Sequence, residues 1–316
     1  MSNIIKHEIL YNLSQKGTIK GYKWINDNQN NKAIVVISHG MAEHIDRYEE
    51  FANKLCDSGY IVFGHNHRGH KDSILTYSDY GYMSDEDNFS ILVSDLHEII
   101  NKVKEEYPDL PIYLFGHSMG SYVSQRFAQL YGNMIQGVIL SGSSKNPNLL
   151  VKLGMISSKI IMEAKGRRYR SRFIDRLAFG TYNSRIKNSK TEFDWLSRDE
   201  AEVNKYIEDK YCGGVFTVSF FYDLSKGFKE INQNFDLIPK RLPILIISGE
   251  KDPVGGYGKY VTNLYNTLRE KEINDIEMIL YKDARHELFK EFNKLQTYLD
   301  IIKWLNKCVS NLENHM

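Results

Sequence analysis

Apolar residues in this chain come in short blocks rather than long spans. Six runs, at 33–38, 60–64, 112–115, 136–140, 244–248 and 276–280, are rich in Val, Ile, Leu and Phe. Runs of that length and content suit strands buried on both faces. Between them, near 47–58, 85–107, 119–131 and 257–271, apolar positions recur with a helical period, and a further such stretch closes the chain from about 288 to 309. Strand and helix alternating in this order predict a doubly wound, mostly parallel sheet with helices on both faces. Residues 1–23 alternate apolar with polar in two segments, which predicts an antiparallel strand pair leading into the sheet. The Asn-rich stretch 26–31 reads as a loop.

The alternation breaks once. Between Leu140 and Ile244 lie roughly a hundred residues, far more than a crossover requires. A helical lid inserted after the sixth strand is expected at 145–237, with 1–144 and 238–316 forming the core. A helical apolar stripe from Leu149 to Met162 includes Ile156 and Ile160, and a second apolar group contains Phe216 and Phe220. Pockets for acyl chains are mostly apolar, so these four are expected to bind substrate; packing of the lid on the core is the competing use.

Charge and composition remove several classes of function. With 41 basic and 40 acidic residues the net charge is +1, and no global field draws the chain to nucleic acid. Cys56, Cys212 and Cys308 are odd in number and form no C-x-x-C, so neither a disulfide framework nor a structural zinc site is expected, and a reducing, cytoplasmic setting is. The N-terminus lacks the apolar centre of a signal peptide, and no run reaches 18 apolar residues. A basic run at 166–172 suits either a phosphate-bearing membrane surface, giving transient peripheral contact through the lid, or a solvated face paired with Asp175 and Glu163.

The chemistry concentrates at the strand ends. Gly116-His117-Ser118-Met119-Gly120 joins the run at 112–115 to the helix at 119–131. A G-x-S-x-G placed there is a nucleophile elbow, whose sharp turn holds the serine at positive φ and needs small neighbours. An α/β-hydrolase fold carries its acid and then its histidine downstream, each on a loop after a strand. Asp252 follows the strand at 244–248, and its place before Pro253 keeps it extended. His286 follows the strand at 276–280. Glu250 is the rival acid, and Asp283 could pair with His286 merely to cap the helix beyond it. His7 and His97 sit in polar stretches, and His315 is terminal. Backbone N–H groups of Met41, after the strand at 33–38, and of Met119 are the candidate oxyanion donors.

These residues carry a resemblance. His39-Gly40-Met41-Ala42-Glu43-His44, Arg47-Tyr48, the elbow, and His67-Arg68-Gly69-His70 after 59–63 resemble the monoacylglycerol lipase and lysophospholipase group of serine α/β-hydrolases. Residues 193–197 and Tyr211-Cys212-Gly213 look like that group's lid, so the likeness covers nearly the whole chain. It implies a catalytic Ser, Asp and His at Ser118, Asp252 and His286, oxyanion donors at Met41 and Met119, and neither cofactor nor metal. Where the group has Asp-His-Arg-Gly-His-Gly, this chain has Asn66 for the aspartate and Lys71 for the last glycine. Those departures bear on the entrance to the site.

The expected function is cleavage of carboxylic esters of lipid-like substrates, monoacylglycerol or lysophospholipid, through an acyl-enzyme. An amidase or aminopeptidase, or an acyltransferase or perhydrolase, would use the same triad. A remoter alternative is a zinc metallo-hydrolase built on His65, His67 and His70, whose spacing matches H-x-H-x-D-H except that Gly69 replaces the aspartate.

Overall fold

The computed structural model describes residues 3–14 and 17–314; His315 lies outside them. Strands β1 (Ile4–Asn12) and β2 (Thr18–Asn26) form an antiparallel pair. There follow β3 (Ala33–Ser38), α1 (Glu49–Asp57), β4 (Tyr60–His65), α2 (Asn88–Glu106), β5 (Ile112–His117), α3 (Met119–Tyr131) and β6 (Gly137–Ser141). Helices α4 (Asn148–Lys165), α5 (Arg172–Phe179), α6 (Glu200–Glu208) and α7 (Val218–Gln233) come next. The chain closes with β7 (Ile244–Gly249), α8 (Lys259–Glu270), β8 (Ile276–Tyr281) and α9 (Lys294–Glu313).

All eight strands form one sheet in the order β1-β2-β4-β3-β5-β6-β7-β8, parallel from β4 to β8. The order reverses direction between β3 and β5. Loops leaving the carboxyl ends of those two strands therefore part to opposite sides, which opens the crevice where such sheets bind ligands.

Strand alternation sends Ile34 and Val36 to one face and Val35 and Ile37 to the other. The first face packs with Leu92, Leu96, Val123, Phe127, Leu264 and Leu268 of α2, α3 and α8. The second packs with Phe51 and Leu55 of α1 and with Ile301, Trp304 and Leu305 of α9. Helix α2 begins at Asn88 because the Asp87 carboxylate accepts from Phe89 N and Ser90 N. The expected closing helix is split into a single 3₁₀ turn, Leu288–Lys290, and α9. Between them Glu291 is extended and buried, because its carboxylate accepts from Arg285 N, Arg198 N and Arg198 Nε.

The insertion between β6 and β7 is not loosely attached. Phe216, Val218, Phe220 and Ile231 belong to the first core. Phe216 and Phe220 have no exposed surface, so in this conformation they are packing residues and not the ligand contacts expected of them. Helix α4 shows the reverse. Val151 and Ser158 are buried, whereas Leu149, Leu153, Ile156 and Ile160 share an exposed face. Phe173 and Leu177 on α5 are also exposed. Among the described residues, no helix is long and apolar enough to cross a membrane.

Candidate active site

Ser118 joins β5 to α3 with φ 49° and ψ −119°, a conformation that costs an L-residue energy and persists only because its surroundings fix it. A Cβ on Gly116 would strike Ser124 Oγ and Gly120 O, and one on Gly120 would strike Ser38 O and His39 O. Both glycines are thus required by close approach of backbone. Ser118 N donates to Ser141 O at 2.9 Å, and Ser121 N donates to Ser118 O at 2.9 Å.

His286 and Asp252 arrive from the ends of β8 and β7 and meet. His286 Nδ1 donates to Asp252 Oδ2 at 2.9 Å, with both side chains buried. Asp252 Oδ1 accepts from Val254 N at 2.8 Å, and Oδ2 from Ser248 Oγ at 3.1 Å. Burial pushes the Asp252 carboxyl up, but the imidazole beside it holds it below its ordinary value. Burial pulls the His286 ring down, and Asp252 more than offsets this, so its pKa is raised. Glu250 and Asp283 are exposed and leave the imidazole to Asp252. The His286 ring lies 4.7 Å from that of His117, the residue before Ser118. Among the described residues no hydrogen bond closes between Ser118 Oγ and the His286 ring, a looseness common in unliganded sites that tightens with substrate.

The loop after β3 lies against the elbow: a Cβ on Gly40 would come within 3.2 Å of Ser118 Cβ. Met119 opens α3, so its N–H has no carbonyl four residues back. Among the described residues Met41 N likewise donates to no protein acceptor. A buried clamp fixes this loop. Glu43 Oε1 accepts from Gly40 N at 2.6 Å and from Tyr48 Oη at 2.7 Å. Arg47 Nη1 donates to Glu43 Oε2 at 2.7 Å, and the same guanidinium grips Glu287 at 2.6 and 2.7 Å. Burial raises the Glu287 carboxyl, but Arg47 brings it down to about 2. One guanidinium so ties the Met41 loop to the His286 loop. Glu43 and Arg47 stand in the opening motif, but nothing in their spacing announces a partner 240 residues away.

Trp195 is a second contact that the sequence did not disclose. Its ring centroid lies 5.0 Å from that of His286, its carbonyl accepts from His286 N, and Leu196 O accepts from Glu287 N at 2.7 Å. The segment 193–197 therefore sits directly over the histidine loop.

Other expectations are corrected. His65, His67 and His70 are buried, and each bonds within the fold through at least one ring nitrogen: His65 Nε2 bonds His67 Nδ1 at 3.2 Å, His67 Nε2 bonds Ser38 Oγ at 3.0 Å, and His70 Nδ1 bonds Arg68 O at 2.8 Å. Only His67 has both ring nitrogens bonded, and His65 Nδ1 and His70 Nε2 are buried without a protein partner, but among the described residues the three do not converge as ligands for one ion, so this is a packed histidine stack beside His39 of the loop after β3. His7 is exposed and His97 stacks on Tyr131 at 4.0 Å. Of the basic run, Arg167 pairs with Asp223, Arg168 lies 3.9 Å over Tyr82, and Arg170 donates to Ser78 O and Val215 O. These arginines clamp the insertion to the core and do not pair with Asp175 or Glu163. Asn66 Oδ1 accepts from Ile45 N at 3.0 Å, and Lys71 occupies φ 35°, held by its 2.8 Å ion pair with Asp46.

The sequence profile of the serine aminopeptidase, S33, family matches residues 29–293. The chain belongs to that family. A monoglyceride lipase homolog of Monkeypox virus is 29% identical over 84% of this chain and 85% of its own. The monoglyceride lipase of Rattus norvegicus is 27% identical over 89% and 83%. In structure, this S33 member superposes on a thermostable carboxyl esterase from Bacillus coagulans with TM-score 0.89 and 27% identity, over 96% of this chain and 99% of the esterase. It is a monoglyceride-lipase-like α/β-hydrolase.

Proposed function

We propose that this chain is a serine hydrolase that cleaves carboxylic esters of lipid-like alcohols, of the monoacylglycerol or lysophospholipid type, through an acyl-enzyme on Ser118. The observation that carries the reading is the buried 2.9 Å Asp252–His286 pair beside a serine held at positive φ on an elbow. His286 Nε2 takes the Ser118 proton as Oγ attacks the ester carbonyl, and Asp252 keeps the ring oriented and stabilises its cation. Met41 N–H and Met119 N–H receive the oxyanion, each worth roughly 3 kcal/mol in comparable chemistry. The imidazolium protonates the departing alcohol. Water then attacks the acyl carbon with His286 again as base, and Ser118 is released with its proton.

Two named relatives are monoglyceride lipases or homologs of one, and the structural relative is an esterase, which favours ester over amide. The family's aminopeptidase description supports the amide reading. In this proposal 145–237 act as the lid, and 1–144 and 238–316 as the core. The exposed α4 face with Ile156 and Ile160 meets a lipid surface rather than the acyl chain in the site.

Ser118→Ala should abolish hydrolysis of p-nitrophenyl butyrate and of monoacylglycerol and block labelling by a fluorophosphonate, with an unchanged circular dichroism spectrum. Residual turnover at the parent rate would refute the assignment. Running an aminoacyl p-nitroanilide alongside decides between ester and amide.

A further inference from the structure

We infer that His44, Asp209 and Cys212 form a binding site for a soft divalent cation of the zinc type, at the seam between the loop after β3 and the segment following α6. This site is separate from Ser118 and does not rest on the catalytic reading.

The geometry is nearly that of a bound ion. One ligand atom from each residue lies within 4.8 Å of the other two. His44 Nε2 and Asp209 Oδ2 are 2.8 Å apart, close to the roughly 3.3 Å that two ligands at about 2.0 Å from one tetrahedral ion must keep. Imidazole, carboxylate and thiolate together are zinc's ligand set, whereas magnesium and calcium prefer oxygen alone. Three protein ligands leave the fourth position to water.

The surroundings orient the ligands. His44 Nδ1 faces the Asp46 carboxylate at 3.4 Å, the outer carboxylate that metal-bound imidazoles commonly have. Asp46 is itself fixed by Lys6 and Lys71. The backbone frame is fixed as well: Gly213 N donates to Ala42 O at 3.0 Å, and Tyr206 Oη to the same oxygen at 2.9 Å. An open groove of about 700 Å³ is lined in part by Lys71, Lys210 and Tyr211, the residues beside His44 and Asp209. Cys212 is a buried free thiol that the proposed hydrolysis does not use.

Binding breaks the Cys212 S–H bond and the His44 Nε2–H bond that donates to Asp209; the imidazole shifts to its other tautomer, losing the Nε2 proton to solvent and gaining one at Nδ1, which then donates to Asp46, so that Nε2 presents its lone pair to the metal. The sulfur keeps the electron pair and donates it to the metal, and the proton leaves to solvent. Because the ligating thiol must lose its proton, occupancy falls as pH falls. An ion here would staple the lid to the loop that carries Met41.

The test uses the full chain, stripped with a chelator, kept reduced with a phosphine, and titrated with Co²⁺ and then Zn²⁺. One equivalent of Co²⁺ should give tetrahedral d–d bands and a thiolate-to-cobalt charge-transfer band, both erased by Zn²⁺. Cys212→Ser should remove the charge-transfer band, and Asp46→Asn should weaken Co²⁺ about 10-fold or more. Cys56→Ser and Cys308→Ser should change nothing. If Cys212→Ser does not fold, Asp209→Asn, at a partly exposed position, takes its place and should weaken Co²⁺ by a similar factor. Absence of a charge-transfer band in the parent protein, or a band that survives Cys212→Ser, overturns the site.

Discussion

At Ser118 a single backbone angle sets the proposed nucleophile, and His286, its proposed base, carries the clearest pH signature. His286 works as a base only when neutral, and Asp252 raises its pKa above the ordinary 6.5 despite burial. Activity should therefore fall as pH drops through a midpoint above 6.5 in kcat/KM, the parameter that reports the free enzyme. Asp252→Asn should lower kcat by ~10⁴ and move that midpoint down. An unshifted limb in the variant would separate Asp252 from the base. The Ser118 elbow and the buried Asp252–His286 pair, proposed here as a triad, were legible because each residue follows a strand end in a fixed order. The Arg47 clamp and Trp195 were not, since pairing across the fold leaves no mark on local spacing.

Among the elements, buried parallel strands were read almost to the residue, because two-sided burial writes them as unbroken apolar runs. Helix α4 misled for a related reason: apolar residues on both its faces hide which one is covered. The exposed face predicts surface binding. Ile156→Asp with Ile160→Asp should abolish co-flotation with lipid vesicles while leaving hydrolysis of soluble p-nitrophenyl butyrate unchanged, and equal flotation of parent and variant would remove the membrane role. The clamp between the loops after β3 and β8 has a larger energetic signature. Arg47→Met leaves Glu43 and Glu287 buried without their cation, which should cost about 3–5 kcal/mol in urea denaturation. A loss below about 1 kcal/mol would mean the carboxylates find other partners.

Across the whole molecule, histidine burial sets the response to acid. His39, His65, His67, His70 and His117 are held below their ordinary pKa, first by burial and then by neighbouring imidazoles, which brings His65 down to about 3 and His70 and His117 to about 4. The unfolded chain takes up these protons near pH 6.5 and the folded chain does not, so stability falls as pH drops from 6.5 towards 4. Each group contributes up to about 1.4 kcal/mol per pH unit. Asp95, raised to about 6 by burial, and Asp175 and Asp223, also raised by burial, run the other way, whereas His286, raised, is protonated in both states below 6.5 and adds no slope there. Urea midpoints should drop steeply over that window, less so in His65→Phe, and a flat series would show the stack to be solvated.

Ser118, Asp252 and His286 hang from the ends of β5, β7 and β8, strands bonded through β6 into a single ladder. Their mutual placement is thus a property of sheet register, as stiff as the sheet itself. The entropy of gathering three distant groups is settled once, as the chain folds, and does not recur at each encounter with substrate.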